Sequence, residues 1–172
     1  SSTTEHGVHS PFVYDLAINC LHQKTPVKTA GKIRAFKREL LQNQRTVAVT
    51  DFGAGSKKMK KDNRKVAHIA KSAGISYKRA FLLNRLIAYF KVRNALEIGT
   101  SVGISAAAMA MDNPNCNLIT LEGCKNTAEI AKKQFEKFDL TNITVKIGRF
   151  ETLLPQILTD QTTNIITSVY LW

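Results

Sequence analysis

The chain has 172 residues, enough to bury one good core, and 44% of them are hydrophobic, the composition of a globular protein. No apolar run approaches the roughly 20 residues that cross a bilayer, and the start, SSTTEHGVHS, lacks the basic-then-apolar pattern of a signal peptide, so a soluble cytoplasmic protein is expected. The net charge of +12 is concentrated in residues 24–93, which hold 19 of the 25 Lys and Arg against three acids, a net +16, while residues 94–172 come to −2.

In chain order, Ser10 is placed to cap a short helix over residues 11–22, with Pro11 at its first position, where the missing N–H costs nothing. Phe12, Val13, Leu16, Ala17 and Cys20 recur on it at helical spacing. KTPVKTAGK reads as a loop and IRAFKRELLQN as a second, basic helix. TVAVTDFGAGS then reads as an extended segment opening into a glycine turn, and KKMKKDNRK as too charged to pack. RKVAHIAKSAG forms a helix that stops at Gly74. Ser76 caps the next, whose apolar stripe is Ala80, Leu83, Leu86, Ile87 and Phe90.

From here the pattern alternates. NALEIG, NLITLEG, ITVKIG and NIITSVYLW read as strands; ISAAAMAM, TAEIAKKQFEKF and ETLLPQIL read as the helices between them. Such alternation implies right-handed crossovers and an α/β fold, a Rossmann-like parallel sheet of about four strands with helices on both faces. Residues 75–172 are expected to form that domain, and residues 1–74 a basic, mainly helical N-terminal extension containing a glycine turn. The three cysteines are odd in number and widely spaced, which suggests neither a disulfide framework nor a zinc site, and they are expected to pack as small apolar groups.

Two glycine loops compete as a ligand site, DFGAGS at 51–56 and EIGTSVG at 97–103. In an open parallel sheet the ligand lies beyond the carboxyl ends of the strands, over a first strand-to-helix turn whose glycines let backbone approach it. A carboxylate ending the next strand then accepts hydrogen bonds from ribose hydroxyls. Glu122 meets this requirement 23 residues beyond Gly99, whereas DFGAGS is followed by a helix without an acid. The second loop is neither GxGxxG nor GxxxxGK[ST], which argues against a dinucleotide and a nucleoside triphosphate. ExGxxxG suits a ligand with a ribose and an amino-acid group but no pyrophosphate.

LEIGTSVGIS followed by TLEG resembles the first two motifs of class I S-adenosylmethionine-dependent methyltransferases, closest to the small O-methyltransferase-like group. EHGVHSPFVYD and DFGAGS resemble an N-terminal extension of bacterial members of that group. The resemblance implies S-adenosyl-L-methionine as cofactor and methyl transfer to a nucleophilic oxygen or nitrogen of a small or macromolecular acceptor. It implies that Gly99, Thr100, Ser101 and Gly103 lie under the methionine portion, that Glu97 meets its ammonium, that Glu122 holds the ribose, and that Gly148, Arg149 and Phe150 face the adenine. Arg149 stands where the family commonly has an acid. The fold is expected to be incomplete at its C-terminal end, leaving a sheet edge open to self-association.

The remaining chemistry-bearing residues have plainer readings. DFGAGS serves as a tight turn, with Asp51 a candidate to help close the site; His6 and His9 are candidates for substrate contact or loop and cap residues; His68 is structural. The cluster Lys57, Lys58, Lys60, Lys61 and Lys65 is a solvated loop or, in the alternative reading, the contact surface of a basic nucleic-acid-binding protein whose sheet domain is only scaffold.

Overall fold

A computed structural model of the chain describes residues 10–51, 60–160 and 165–169. The chain begins with helix α1 (Pro11–Leu16), which runs into a π-helical turn (Ala17–Leu21). Ser10 caps α1 as expected, its Oγ accepting from the Val13 N–H at 3.5 Å. The expected apolar face is only partly used. Cys20 is buried, but Phe12 and Val13 are exposed, with the Phe12 ring 6.3 Å from that of Phe90.

Helix α2 (Val27–Gln42) starts earlier than the sequence suggested, so most of the expected loop KTPVKTAGK is helical. Tertiary contacts override the weak local signal of Gly31: Thr29 and Ala30 are buried, and the Thr29 hydroxyl donates to Asp112 at 2.7 Å. A second correction concerns KKMKKDNRK. Strand β1 (Thr46–Asp51) pairs antiparallel with β2 (Lys60–Lys65), Thr46 opposite Lys65 and Asp51 opposite Lys60. The charged segment is therefore an outer strand. It needs no buried face, and its residues Asp62 to Lys65 are all exposed.

Helices α3 (Val66–Ser72) and α4 (Tyr77–Tyr89) follow, the latter capped by the Ser76 hydroxyl, which accepts from the Arg79 N–H at 3.3 Å. Then come β3 (Asn94–Ile98), α5 (Ile104–Ala110), β4 (Asn117–Glu122), α6 (Lys125–Lys137), β5 (Ile143–Ile147), α7 (Phe150–Asp160) and β6 (Ile165–Val169). The four later strands form one parallel sheet in the order β5-β4-β3-β6, as the alternation predicted.

The two faces of this sheet are covered differently. Side chains alternate along each strand: Ala95 on β3 and Leu118 on β4 enter a large core shared with α2 to α6, while Leu96 and Leu121 meet Ile157 of α7. The large core draws Ile33, Phe36, Leu40, Val66 and Ile69 from residues 1–74 together with Ile87, Ile104, Met109 and Phe135 from residues 75–172. Phe36 of α2 is its aromatic centre, stacked 6.0 Å from Phe135 and edge-on 5.1 Å from Phe138. Cys20, Cys116 and Cys124 are buried free thiols.

Strand order reverses at β3. The chain moves outward through β4 and β5 with α5 and α6 on one face, then returns by α7 on the other to place β6 beside β3. That reversal is a topological switch point, where an open α/β sheet leaves a crevice beyond its carboxyl ends. The loop leaving β3 at this point is residues 99–103.

Candidate functional site

Residues 99, 101 and 103 all have positive φ, at 93°, 50° and 85°. This backbone curls the loop over the end of β4. The N–H groups of Gly99 and Thr100 both donate to the Leu121 carbonyl, at 2.9 and 3.0 Å, and the N–H of Ser101 donates to Glu122 Oε2 at 2.6 Å.

The two motif glycines do different work. A Cβ on Gly99 would meet nothing within 4 Å, so this position keeps open the space above the loop. A Cβ on Gly103 would stand 2.5 Å from Phe135 and 3.2 Å from Ala131, so that glycine lets α5 pack closely on α6. Beside the loop is a small cleft of about 10 Å³, roughly the space of one water, lined by Ala73, Gly74 and Ile75 on one wall and Gly99 to Val102 and Ser105 on the other.

Glu97, bonded to the cleft-lining Ser105, is completely buried. β3 turns it to the same face as Ala95, where β4 presents Thr120 directly opposite. Thr120 donates to Glu97 Oε2 at 2.6 Å, Ser105 of α5 donates to Oε1, and the Thr100 hydroxyl is 2.6 Å from that of Thr120. With the Thr120 proton directed at a Glu97 carboxylate, Thr100 must be the donor to Thr120, so the hydroxyls form a chain ending on the acid. Burial pushes Glu97 up to about 7, against the two hydroxyl donors, and the charge of Glu122 adds to the rise.

Glu122, at the end of β4, is held mainly by backbone, with the Thr127 hydroxyl as a further donor. Besides Ser101, the Cys124 N–H donates to its Oε1 at 2.8 Å. Burial raises its pKa as well, opposed by these amide donors. The hairpin β1–β2 docks next to it. The Thr50 N–H lies 3.3 Å from the Cys124 sulfur, and Asn126 Nδ2 donates to the Ala48 carbonyl at 2.7 Å.

The structure thus brings Glu97, Gly99, Thr100, Ser101, Gly103 and Glu122 together around one loop. Gly148 follows β5 on the far side of β4, its N–H donating to the Glu122 carbonyl at 3.0 Å. Arg149 is exposed and 3.6 Å from Glu151, and Phe150 packs against the Leu96 and Leu121 side of the sheet. His6 and His9 lie outside the described residues, as do Lys57 and Lys58; Asp51 ends β1, and Lys60 and Lys61 lie in β2. Ser105, Thr120 and Asn126 were not singled out in the sequence, and Cys124 was read only as a small packing group. Thr120 carried the clearest signal, a hydroxyl inside the apolar run LITL of β4.

Among the described residues no helix is long and apolar enough to cross a membrane, and no group of three or more His, Cys, Asp or Glu could hold a metal ion.

A switch-point glycine loop flanked by two carboxylates, one buried and one half-buried, on a parallel sheet preceded by helices, is the architecture of the class I methyltransferase fold. A profile of the O-methyltransferase family matches residues 53–168, about two thirds of the chain, and the chain belongs to that family. No curated protein sequence matches it. Among solved structures it is similar to an O-methyltransferase from Bacillus cereus in complex with S-adenosylhomocysteine (SAH), with TM-score 0.54, 19% identity, and coverage of 91% of this chain and 59% of that one. It is also similar to an SAH-bound methyltransferase from Podospora anserina, TM-score 0.53 and 14% identity over 91% of this chain and 56% of that one. The tomaymycin-synthesis O-methyltransferase from Streptomyces achromogenes, bound to S-adenosylmethionine, gives TM-score 0.50 and 19% identity over 90% of this chain and 57% of that one. The chain therefore spans somewhat more than half the length of these proteins.

Proposed function

We propose that the chain binds S-adenosyl-L-methionine across the carboxyl ends of β3 and β4 and serves an enzyme that transfers its methyl group to a nucleophilic oxygen or nitrogen. The observation that carries this reading is the placing of two carboxylates, fully buried Glu97 and half-buried Glu122, against the glycine loop that carries the open position Gly99. An ammonium needs an acid at the first position and a ribose diol needs acceptors at the second. The residues present fit both.

In this reading Glu97, with Ser105, holds the amino group, and Thr100 and Ser101 shape the floor. Glu122 keeps lone pairs for the ribose hydroxyls while its amide donors fix its orientation. Gly148, Arg149 and Phe150 flank the adenine side; His6, His9 and Asp51 are the candidates for acceptor contact. The bound cofactor supplies a sulfonium methyl. The protein's contribution is to hold the acceptor in line with it and to keep water away, so positioning supplies most of the rate. No observation among the described residues favours the nucleic-acid scaffold reading or pairing through the sheet edge.

The test is titration with SAH of the wild-type chain and of Glu122→Ala. Saturable binding that weakens at least tenfold in the variant supports the ribose contact; equal affinity in the two chains shows the contact to be wrong.

A further inference from the structure

The two site carboxylates differ in the kind of partner that holds them. Glu122 accepts chiefly from the N–H groups of Ser101 and Cys124, which can only donate, with the Thr127 hydroxyl a lesser donor. Glu97 is held entirely by hydroxyls: Ser105 at one oxygen and Thr120 at the other, with Thr100 behind Thr120. A hydroxyl donates or accepts as it rotates. When Glu97 is ionised the chain runs from Thr100 through Thr120 to the acid, and when it is protonated the same chain reverses without losing a bond. The site therefore accommodates Glu97 in either form, whereas an amide-held carboxylate opposes protonation.

The surroundings favour the protonated form in the empty protein. Glu97 has no exposed surface. Among the described residues it has no salt-bridge partner; the groups that act on it are Ser105 of α5, Thr120 and Glu122 of β4, and of these only Glu122 is charged and of like sign. The glycine loop contributes Thr100 and Ser101, neither charged. An isolated carboxylate so placed lacks both water and a counter-ion.

We infer that Glu97 carries a proton in the empty site and releases it when a cationic amino group enters the cleft, so that cofactor binding is coupled to proton release. The inference rests on the reading of the cleft as the site of the methionine amino group. The balance is simple: the acid's O–H bond breaks, its proton passes to solvent through the hydroxyls and the cleft, and the carboxylate left behind pairs with the ligand ammonium. Burial that holds Glu97 near pH 7 sets the range in which the exchange is visible.

The experiment is calorimetric titration of the full chain with SAH, repeated in buffers of different ionisation enthalpy. Release of about 0.9 proton per ligand at pH 6 is expected, falling to about 0.1 at pH 8, with affinity about 30-fold weaker at pH 5.5 than at pH 8. Glu97→Gln should bind more weakly and release no proton. Without ligand, infrared difference spectra should show a protonated carboxyl band that disappears between pH 6 and 8 and is missing in Glu97→Gln. Saturable binding with no proton release in any buffer overturns the inference and leaves the cofactor site standing. Absence of the carboxyl band also overturns it. Absence of SAH binding by folded protein removes the cofactor reading and this inference with it.

Discussion

At the residue scale the loop at 99–103 works through backbone angles that only glycine adopts without cost. Gly99→Ala is expected to lose about 1–2 kcal/mol of stability from its φ of 93° alone, since a methyl there meets open space. Gly103→Ala should lose distinctly more, because the same strain is joined by a 2.5 Å clash with the Phe135 ring. Denaturant unfolding of the two variants measures the difference; equal losses would show that close packing of α5 on α6 is not what Gly103 secures. Glu97 has a signature of its own. Its folded pKa is raised to about 7 from an unfolded value of 4.5, so the stability tied to its proton is full below pH 4.5 and lost as pH rises through 7. On the order of 3 kcal/mol is involved. The empty protein should lose stability over that window relative to Glu97→Gln, and parallel pH profiles for the two chains would contradict the assignment. The motif acids and glycines were legible because their spacing is fixed by the strand and turn they serve. Thr120 and Ser105 were not. They are ordinary residues whose role comes from strand register and from the first turn of α5.

At the scale of elements, the N-terminal segment is fastened to α4 by a few polar contacts. Arg85 donates to the carbonyls of Cys20 and Leu21, at 2.9 and 3.3 Å, and to the Thr25 hydroxyl at 3.1 Å. Arg85→Ala should speed hydrogen exchange across residues 11–21 while leaving that of β3 and β4 unchanged. Asn84 behaves differently. It is buried and donates to the carbonyls of Ala108 and Met111, tying α4 to the end of α5. Asn84→Ala leaves two buried acceptors without a partner, and a global loss of about 2–4 kcal/mol is expected in equilibrium unfolding. The same scale explains where the sequence misled. Helix α2 begins inside a stretch with Pro26 and Gly31, a local signal for a loop, because Thr29 and Ala30 gain buried contacts only when the rest of the core is present. The strand β2 lacks any apolar alternation, in keeping with its pairing along β1 and with the exposure of its residues Asp62 to Lys65. The alternating βαβ region was legible because its central strands β3 and β4 bury both faces and read as short apolar runs between amphipathic helices.

For the molecule as a whole, the order β5-β4-β3-β6 brings the reversal of the sheet and the glycine loop to the same place. The helices from residues 1–74 share the core of the sheet, so the β1–β2 hairpin is held against Cys124 and Asn126, next to the carboxylate expected to take the ribose. Chain topology, backbone conformation and the two acids therefore meet at the glycine loop, the position proposed for the ligand. The most direct test of that convergence is calorimetric titration of this chain at pH 8 with SAH, with NAD as control. Saturable binding of SAH alone, at one site per chain, is the expected result. Binding of NAD with equal strength, or no binding of SAH by a chain shown to be folded, would contradict the assignment of the switch-point loop as a site for S-adenosylmethionine.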